Sequence, residues 1–259
     1  MRLHIFHWEA KAMPRPANKY RVMKRELPSK PVFRNRILAR LPKDESNRLQ
    51  SKMQEVEMKQ GTMLYEPHKP FRRVYFPETG VASIVTVLDD NTEIEVATVG
   101  YEGMVGLPAF LGVHKSPAKA FWQVDGKAFV LDAKALREET QRGSALAVTL
   151  HLYIQAFFTQ IAQSATCNRV HKVKQRCARW LLMTHDRVEG DEFGLTQEFL
   201  ARMLGIRRTG VTEVAGDLQR GGLIAYSRGH IRILNRVGLE KISCECHRVV
   251  MDEYRRLLG

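Results

Sequence analysis

Arg208, Thr209, Thr212 and Glu213 place a guanidinium, two hydroxyls and a carboxylate on one face at helical spacing. These are the donors and acceptors that read base edges in a major groove, Arg toward guanine and a carboxylate toward a cytosine amino group. Gly216 and Arg220 continue the same face one turn on, while Val211, Val214, Ala215 and Leu218 form an apolar stripe behind it. A helix so divided buries its back and keeps a hydrogen-bonding front. Thr196, Gln197, Arg207 and Arg228 lie at the ends of adjacent elements, where caps and basic side chains meet phosphates. A second constellation is Cys244-Glu245-Cys246-His247. Two thiolates and an imidazole can hold zinc or respond to oxidants. A Cys-x-Cys pair on one helix points to different faces, however, and no fourth ligand is evident, so structural cysteines are the favoured reading. His151, His171 and His185 are scattered and read as packing or surface histidines.

These residues need elements to hold them. The pattern predicts a first helix over Gln197–Leu204, a turn at Gly205-Ile206 and a second helix from Arg207 to about Gln219. Ala201 is small where the helices would cross, Gly205 suits a left-handed turn residue, and Thr196 is placed to cap the first helix. Gly221-Gly222 stops the second helix. Leu223–Ser227 and His230–Ile233 then flank Arg228-Gly229 as a hairpin with a basic tip. The whole reads as a winged helix-turn-helix, with double-stranded DNA as its partner; an ordinary helical hairpin is the alternative.

Upstream, short strands are expected at Val56–Met58, Thr62–Tyr65, Arg73–Phe76, Val81–Val87, Glu93–Val99, Ala120–Val124 and Ala128–Leu131, separated by Gly, Pro or Asp-Asn turns. Such spacing suggests a β-barrel or jelly roll. A long helix follows, over about Ser144–Asn168, with Leu150, Ile154, Phe157, Ile161 and Ala165 at alternating spacings of four and three. That is the pattern of a helix seam, expected to pair two copies of the chain and also able to pack on the barrel. A dimer sets two recognition helices about 34 Å apart, the distance between successive major-groove faces.

The chain has 259 residues and a formal net charge of +13, which favours a polyanionic partner. Residues 1–36 carry ten Lys/Arg against two Asp/Glu, so the body is only mildly basic. The proline-containing, basic segment 1–35 reads as a flexible arm: a loose phosphate-binding tail, a solvated tail or a start assigned too far upstream. No run of about eighteen apolar residues stands out, so no membrane span is expected. Met1 to Trp8 makes a poor secretory signal, which points to the cytoplasm. The four cysteines, none in the first 166 residues, fit reduced thiols rather than a disulfide framework. There is no Walker A loop, Gly-x-Ser-x-Gly elbow or His-Glu-x-x-His motif, and an enzyme is not expected.

The order of barrel, long helix and winged helix-turn-helix, with Gly61, Gly80 and Gly100 at turns of the roll and the segment Gly103-Met104-Val105-Gly106-Leu107-Pro108-Ala109, resembles the Crp/Fnr family of bacterial transcription regulators. The resemblance covers about Arg36 to the end. It implies an α+β architecture: a cyclic-nucleotide-binding-like β-roll or jelly-roll sensor domain (36–143), a dimerisation helix (144–169), a winged helix-turn-helix domain (170–240) and a C-terminal helix (241–259). It also implies a homodimer on a near-palindromic site and contact with RNA polymerase. Cyclic-AMP binders of the family carry Gly-Glu in the short helix and Arg about ten residues on; here Gly106 is followed by Leu107, and Lys119 stands in the later segment. Leu107 cannot accept a sugar hydroxyl, and Lys119 is a point charge rather than a bidentate fork. A different effector, a small molecule or nucleotide of unidentified kind, or none at all, is therefore expected, and no cofactor is assigned. Iron–sulfur sensing in the family uses amino-terminal cysteines, absent here. The recognition helix reads Arg208-Thr209-Gly210-Val211 where the family commonly has Arg-Glu-Thr-Val, which implies a different half-site. The competing readings are a non-specific basic DNA-coating protein acting through charge alone, and a cyclic-nucleotide or second-messenger sensor that uses its ligand in the family's usual way.

Overall fold

The computed structural model describes residues 33–259 apart from Arg142. Two short helices, α1 (Arg36–Ala39) and α2 (Lys43–Gln50), lead into strands β1 (Gln54–Met58), β2 (Met63–Tyr65), β3 (Arg73–Val87) and β4 (Glu93–Val99). Helix α3 (Leu107–Phe110), strand β5 (Ala118–Asp132) and helix α4 (Ala133–Thr140) complete the roll, and α5 (Ala145–Val170) runs out of it. The carboxy-terminal half holds α6 (Val173–His185), β6 (Glu192–Gly194), α7 (Gln197–Leu204), α8 (Arg208–Arg220), β7 (Ile224–Ser227), β8 (His230–Ile233), α9 (Arg236–Ile242) and α10 (Cys246–Leu258). The architecture is the expected one of β-roll, long helix and winged helix-turn-helix.

The roll is an antiparallel sheet in the order β1-β5-β3-β4, with β2 also on β5. Its strands are fewer and longer than the turn residues suggest. Arg73–Phe76 and Val81–Val87 join as β3, and Ala120–Val124 and Ala128–Leu131 join as β5. The residues read as breaks are bulges, with register shifts between Pro77 and Ala82. Here β3 and β5 cross so closely that a Cβ on Gly126 would lie 2.1 Å from the Thr79 carbonyl oxygen, and one on Gly80 2.6 Å from that of Val124. Glycine lets the bent ladder continue without interruption.

The segment 1–35, expected as an arm, falls almost wholly outside the described residues, and its last three residues are part of the fold. Phe33 packs edge-on against Phe129 with centroids 5.2 Å apart. Asn35 is fully buried; its side chain caps α1 and donates to the carbonyls of Pro77 and Gly103. The fold therefore claims the chain from Phe33 onward.

Helix α5 begins at a Ser144 cap and carries the roll on one side and α10 along its length. Contrary to expectation, it is long and apolar enough by composition to cross a bilayer, with a mean hydropathy of 1.4 over eighteen residues. Core helices of folded proteins pass the same test, and this one is built into a core. Its fully buried Gln160 donates to the Thr98 carbonyl at 2.8 Å, and Tyr153 donates to that of Met104 at 3.2 Å. The predicted seam is turned inward at its start: Leu150 has no exposure, while Ile154, Phe157 and Ile161 are half-buried against the protomer's own cores. Of that set only Ala165 is exposed. The outward stripe is instead Val148, Phe158, Ala162 and Ala165, with Phe158 65% exposed. A spacing of four and three recurs on every face of a helix; which face the roll covers is decided by tertiary packing.

The two halves share a hydrophobic core. Val81, Val85 and Phe121 of the roll join Leu181, Phe199 and Leu200 of the carboxy-terminal half, and Phe121 meets Phe199 edge-on at 6.0 Å. At the rim of this contact Trp180 Nε1 donates to Glu95 Oε1 at 2.8 Å. Arg202 of α7 lies 3.6 Å from Glu93 of β4.

Candidate nucleic-acid interface

The first helix of the motif starts where Thr196 Oγ1 accepts the Phe199 N–H at 3.1 Å and ends at Gly205, whose φ of 62° makes the left-handed turn. Phe199, Leu200, Ala201, Met203 and Leu204 are buried, so α7 is held by one apolar side. Arg207 is the N-cap residue of the second helix rather than its first residue, since its backbone is extended. Val211, Ala215 and Leu218 are buried beneath α8, Val214 is half-buried, and Arg208, Thr209, Thr212 and Glu213 are exposed. The Thr212 hydroxyl lies 2.9 Å from Gln197 Oε1, which ties the two helices on their outer side.

The wing is a three-stranded sheet in the order β6-β8-β7. Strand β6, three residues long, is too short to show a pattern in the sequence. At the tip, Arg228 and Gly229 have φ of 50° and 80°. Two consecutive left-handed residues make the tight turn whose twist matches the flanking strands. Three bonds hold the hairpin in place: Leu195, in the link between β6 and α7, donates its N–H to Gly229 O at 2.7 Å and accepts the Tyr226 hydroxyl at 3.0 Å, and Gln219 Oε1 of α8 accepts the Tyr226 N–H at 2.9 Å. Between wing and helices an open cleft of about 470 Å³ is lined by Thr196, Gln197, Arg208, Tyr226, Ser227 and Arg228, among others.

Charge on this surface is partitioned. Arg202, Arg220 and Arg232 are taken up by Glu93, Asp217 and Glu192. Arg207, Arg208 and Arg228 are exposed and enter no ion pair among the described residues. Arg220, placed by spacing on the reading face, is thus occupied by its own helix. The surface that results has a polar ridge on α8, a basic wing tip and a groove between them, a shape suited to a major groove and its phosphates.

Two family models match the chain: the cyclic nucleotide-binding domain over residues 55–142 and the Crp-like helix-turn-helix domain over residues 175–242, together more than half of it. The chain belongs to the Crp/Fnr family of transcription regulators. Its fold is similar to that of FixK2 from Bradyrhizobium japonicum, with a TM-score of 0.62 at 17% identity over 74% of this chain and 98% of that one. A Crp-family transcriptional regulator from Thermus thermophilus gives 0.60 at 21% identity, over 72% and 95%. The c-di-GMP-responsive regulator CLP from Xanthomonas campestris gives 0.57 at 17%, over 74% and 99%. At these identities the likeness is one of fold. Among curated proteins none matches the chain.

In this Crp/Fnr regulator the residues at the expected effector positions are engaged elsewhere. Gly106 caps α3 with φ of 98°, and a Cβ there would lie 2.9 Å from Val74 Cγ1. Leu107 is buried in the core between roll and α5. Lys119 is largely enclosed, paired with Glu93, and its ammonium lies 5.5 Å from the Phe121 ring centre. The Leu107 side chain is thus packed and the Lys119 ammonium already has a carboxylate partner.

The carboxy-terminal ligand-like cluster also differs from expectation. His247 Nε2 is 2.8 Å from Asp186 Oδ2 and so turns away from the cysteines. Cys244 precedes α10 rather than sitting on it, so the helical argument against Cys244 and Cys246 converging does not apply. They meet Cys167 and His171, the latter read from sequence as a packing or surface residue.

Gly210 lies inside α8 on the half-exposed side, where a Cβ would meet only Ile206 Cδ1, at an ordinary 3.6 Å. Nothing within the protomer requires glycine there. Gly210→Ala should therefore raise stability by about 0.5–1 kcal/mol while weakening DNA binding, because the bare backbone is kept for close approach to a ligand outside the chain. Thermal melts and a binding titration check both halves; an unchanged melt, or unchanged affinity, would contradict this account.

Proposed function

We propose that this DNA-binding regulator acts as a homodimer that reads a specific, two-fold symmetric site, and that its roll responds to an effector other than cyclic AMP or to none. The observation that carries the reading is the exposed set Arg208, Thr209, Thr212 and Glu213 on α8, with Arg208 in no ion pair among the described residues, beside the Arg228 wing tip. Arg208 donates to a guanine, Thr209, Thr212 and Glu213 tune neighbouring positions, and Thr196, Gln197, Arg207 and Arg228 anchor the backbone. The second copy packs on the outward face of α5, through Val148, Phe158, Ala162 and Ala165, next to the half-buried Ile154, Phe157 and Ile161. The buried Leu107 and the paired Lys119 support the reading that cyclic AMP is not the signal. It acts by binding rather than turnover, in the cytoplasm, with RNA polymerase as the partner that the family adds.

The test is selection of bound DNA from a random pool at about 0.15 M salt, where phosphate binding alone is weak. A motif with two-fold symmetry and half-sites one helical turn apart is expected. Retention of DNA with no enriched sequence would favour the charge-driven coating reading instead. Within the selected site, Arg208→Ala should cost about 1–3 kcal/mol of discrimination at one base pair, read by competition with single-base variants. Equal weakening on every sequence would reassign Arg208 to phosphate.

A further inference from the structure

The end of α5 and the start of α10 with the loop before it bring together four side chains that the DNA interface does not use. Cys167 and His171 are four residues apart, on one face of the last turn of α5 and its cap. Cys244 and Cys246 flank Glu245, the N-cap residue of α10. Cys167 Sγ lies 3.5 Å from Cys244 Sγ, and Cys246 Sγ 3.5 Å from His171 Nδ1. One ligand atom from each residue lies within 4.8 Å of all the others. The three cysteines are buried and form a cluster of their own, outside the aliphatic cores. Three thiols and an imidazole turned toward one another are not how a hydrophobic core fills space.

The spacing matches a single ion. With Zn–S of about 2.3 Å and Zn–N of about 2.0–2.1 Å, a tetrahedron has sulfur–sulfur edges of about 3.8 Å and sulfur–nitrogen edges of about 3.5 Å. A four-iron cluster, with each ligand on its own iron, needs the ligands farther apart. The outer groups fit as well. His171 Nε2 lies 3.3 Å from Glu245 Oε2, so the carboxylate holds the imidazole with Nδ1 toward the sulfurs. Gln163 Nε2 donates to Cys246 Sγ at 3.1 Å, a bond that favours a thiolate.

We propose that Cys167, His171, Cys244 and Cys246 bind one zinc ion in a closed tetrahedral site. Four protein ligands leave no open position, so the ion is structural. Binding converts three thiols to thiolates and releases their protons, which makes occupancy pH-dependent. The resulting centre carries one net negative charge, and Arg176 and Arg179 of α6 lie within electrostatic reach of Cys167. Its position gives the ion a role. His171 stands between α5 and α6, where the long helix hands over to the DNA-binding half, and Cys244 of the α9–α10 loop with Cys246, the first residue of α10, clamps that junction from the other side. Zinc thus sets how the recognition helices are held relative to α5.

The experiment is metal analysis of the full chain purified under reducing conditions without chelator, followed by cobalt substitution. One zinc per chain is expected, and cobalt should give the thiolate charge-transfer bands and d–d pattern of a tetrahedral three-thiolate site. Cys246→Ser and His171→Ala should each lower zinc content at least tenfold, whereas Cys177→Ala should retain it, since Cys177 is buried in the carboxy-terminal core. Circular dichroism separates metal loss from unfolding in the variants, and the cobalt spectrum of the unaltered chain tests the site without any variant. A chain without zinc that gives no cobalt bands, one isolated with iron, or one with a Cys167–Cys244 disulfide would overturn the proposal. These readouts do not involve DNA, so they leave the regulator reading untouched whichever way they fall.

Discussion

Replacing Arg187 with Met should destabilise the protein by about 3–5 kcal/mol, the cost of leaving a buried carboxylate without its partner. Arg187 and Glu102 are both almost fully buried, and Glu102 Oε1 takes bonds from Arg187 Nη2 at 2.7 Å and Nε at 3.0 Å. The remaining guanidinium contacts go to Thr98 Oγ1 at 2.6 Å, Met183 O at 3.3 Å and Gln160 Oε1 at 3.3 Å. Gln160 in turn accepts the Tyr254 hydroxyl at 3.1 Å. One side chain at the end of α6 thereby joins the roll, the long helix and α10. Burial disfavours the charge on Arg187, but Glu102 more than offsets this and the guanidinium pKa is raised. Room for the side chain exists because residue 100 is glycine: a Cβ there would fall 2.5 Å from Arg187 Cγ and Cδ. Urea unfolding of Arg187→Met against the unaltered chain checks the magnitude, and adding Glu102→Gln should restore a large part of it. A loss below about 1 kcal/mol, or no recovery in the double variant, would mean that the pair does not hold the halves together.

The second large effect is a pH dependence at Glu95, where the roll meets α6. Burial raises its pKa from 4.5 to about 7, against the opposing influence of bonds from Ser83 and Trp180 and the charges of Arg179 and Arg187. The unfolded chain ionises Glu95 near 4.5, whereas the folded chain keeps it protonated to about 7. Between those values the unfolded state gains stability by releasing a proton that the folded state retains. The contribution of Glu95 is therefore fully present below pH 4.5 and is lost as pH rises to about 7, by at most about 3 kcal/mol. Glu95→Gln keeps an acceptor for Trp180 and carries no charge. The variant should match the unaltered chain near pH 4.5 and become more stable than it by up to about 3 kcal/mol at pH 8, measured as urea midpoints. A difference that does not change with pH would sink the assignment.

The DNA-reading half is legible in the sequence because its determinants are local. A capping Thr196, a left-handed Gly205, an apolar stripe at Val211, Ala215 and Leu218 and the Arg228-Gly229 tip each act within a few residues of themselves, so spacing alone places the helices and the hairpin. The roll is legible in kind but not in detail. Gly80 and Gly126 look like breaks along the chain, yet they face each other across the ladder, and only pairing of β3 with β5 reveals them as the point where two long strands bend together. The same limit explains α5, whose recurring spacing cannot say which face the roll takes; packing buries Leu150 and leaves Phe158 outside.

The order of elements, the family and the polar face of α8 are written in the chain itself, since all three follow from period and from caps and turns that act locally. The docking of the two halves settles the rest. The Arg187–Glu102 pair joins residues 85 positions apart, the Cys167–Cys244 contact residues 77 apart, and the Trp180–Glu95 bond residues 85 apart. None has a periodic signature, because each depends on where distant segments come to rest against one another. Cys244 and Cys246 look like a pair lacking ligands for the same reason: the two that complete the set are carried by another helix, and no local spacing rule connects them.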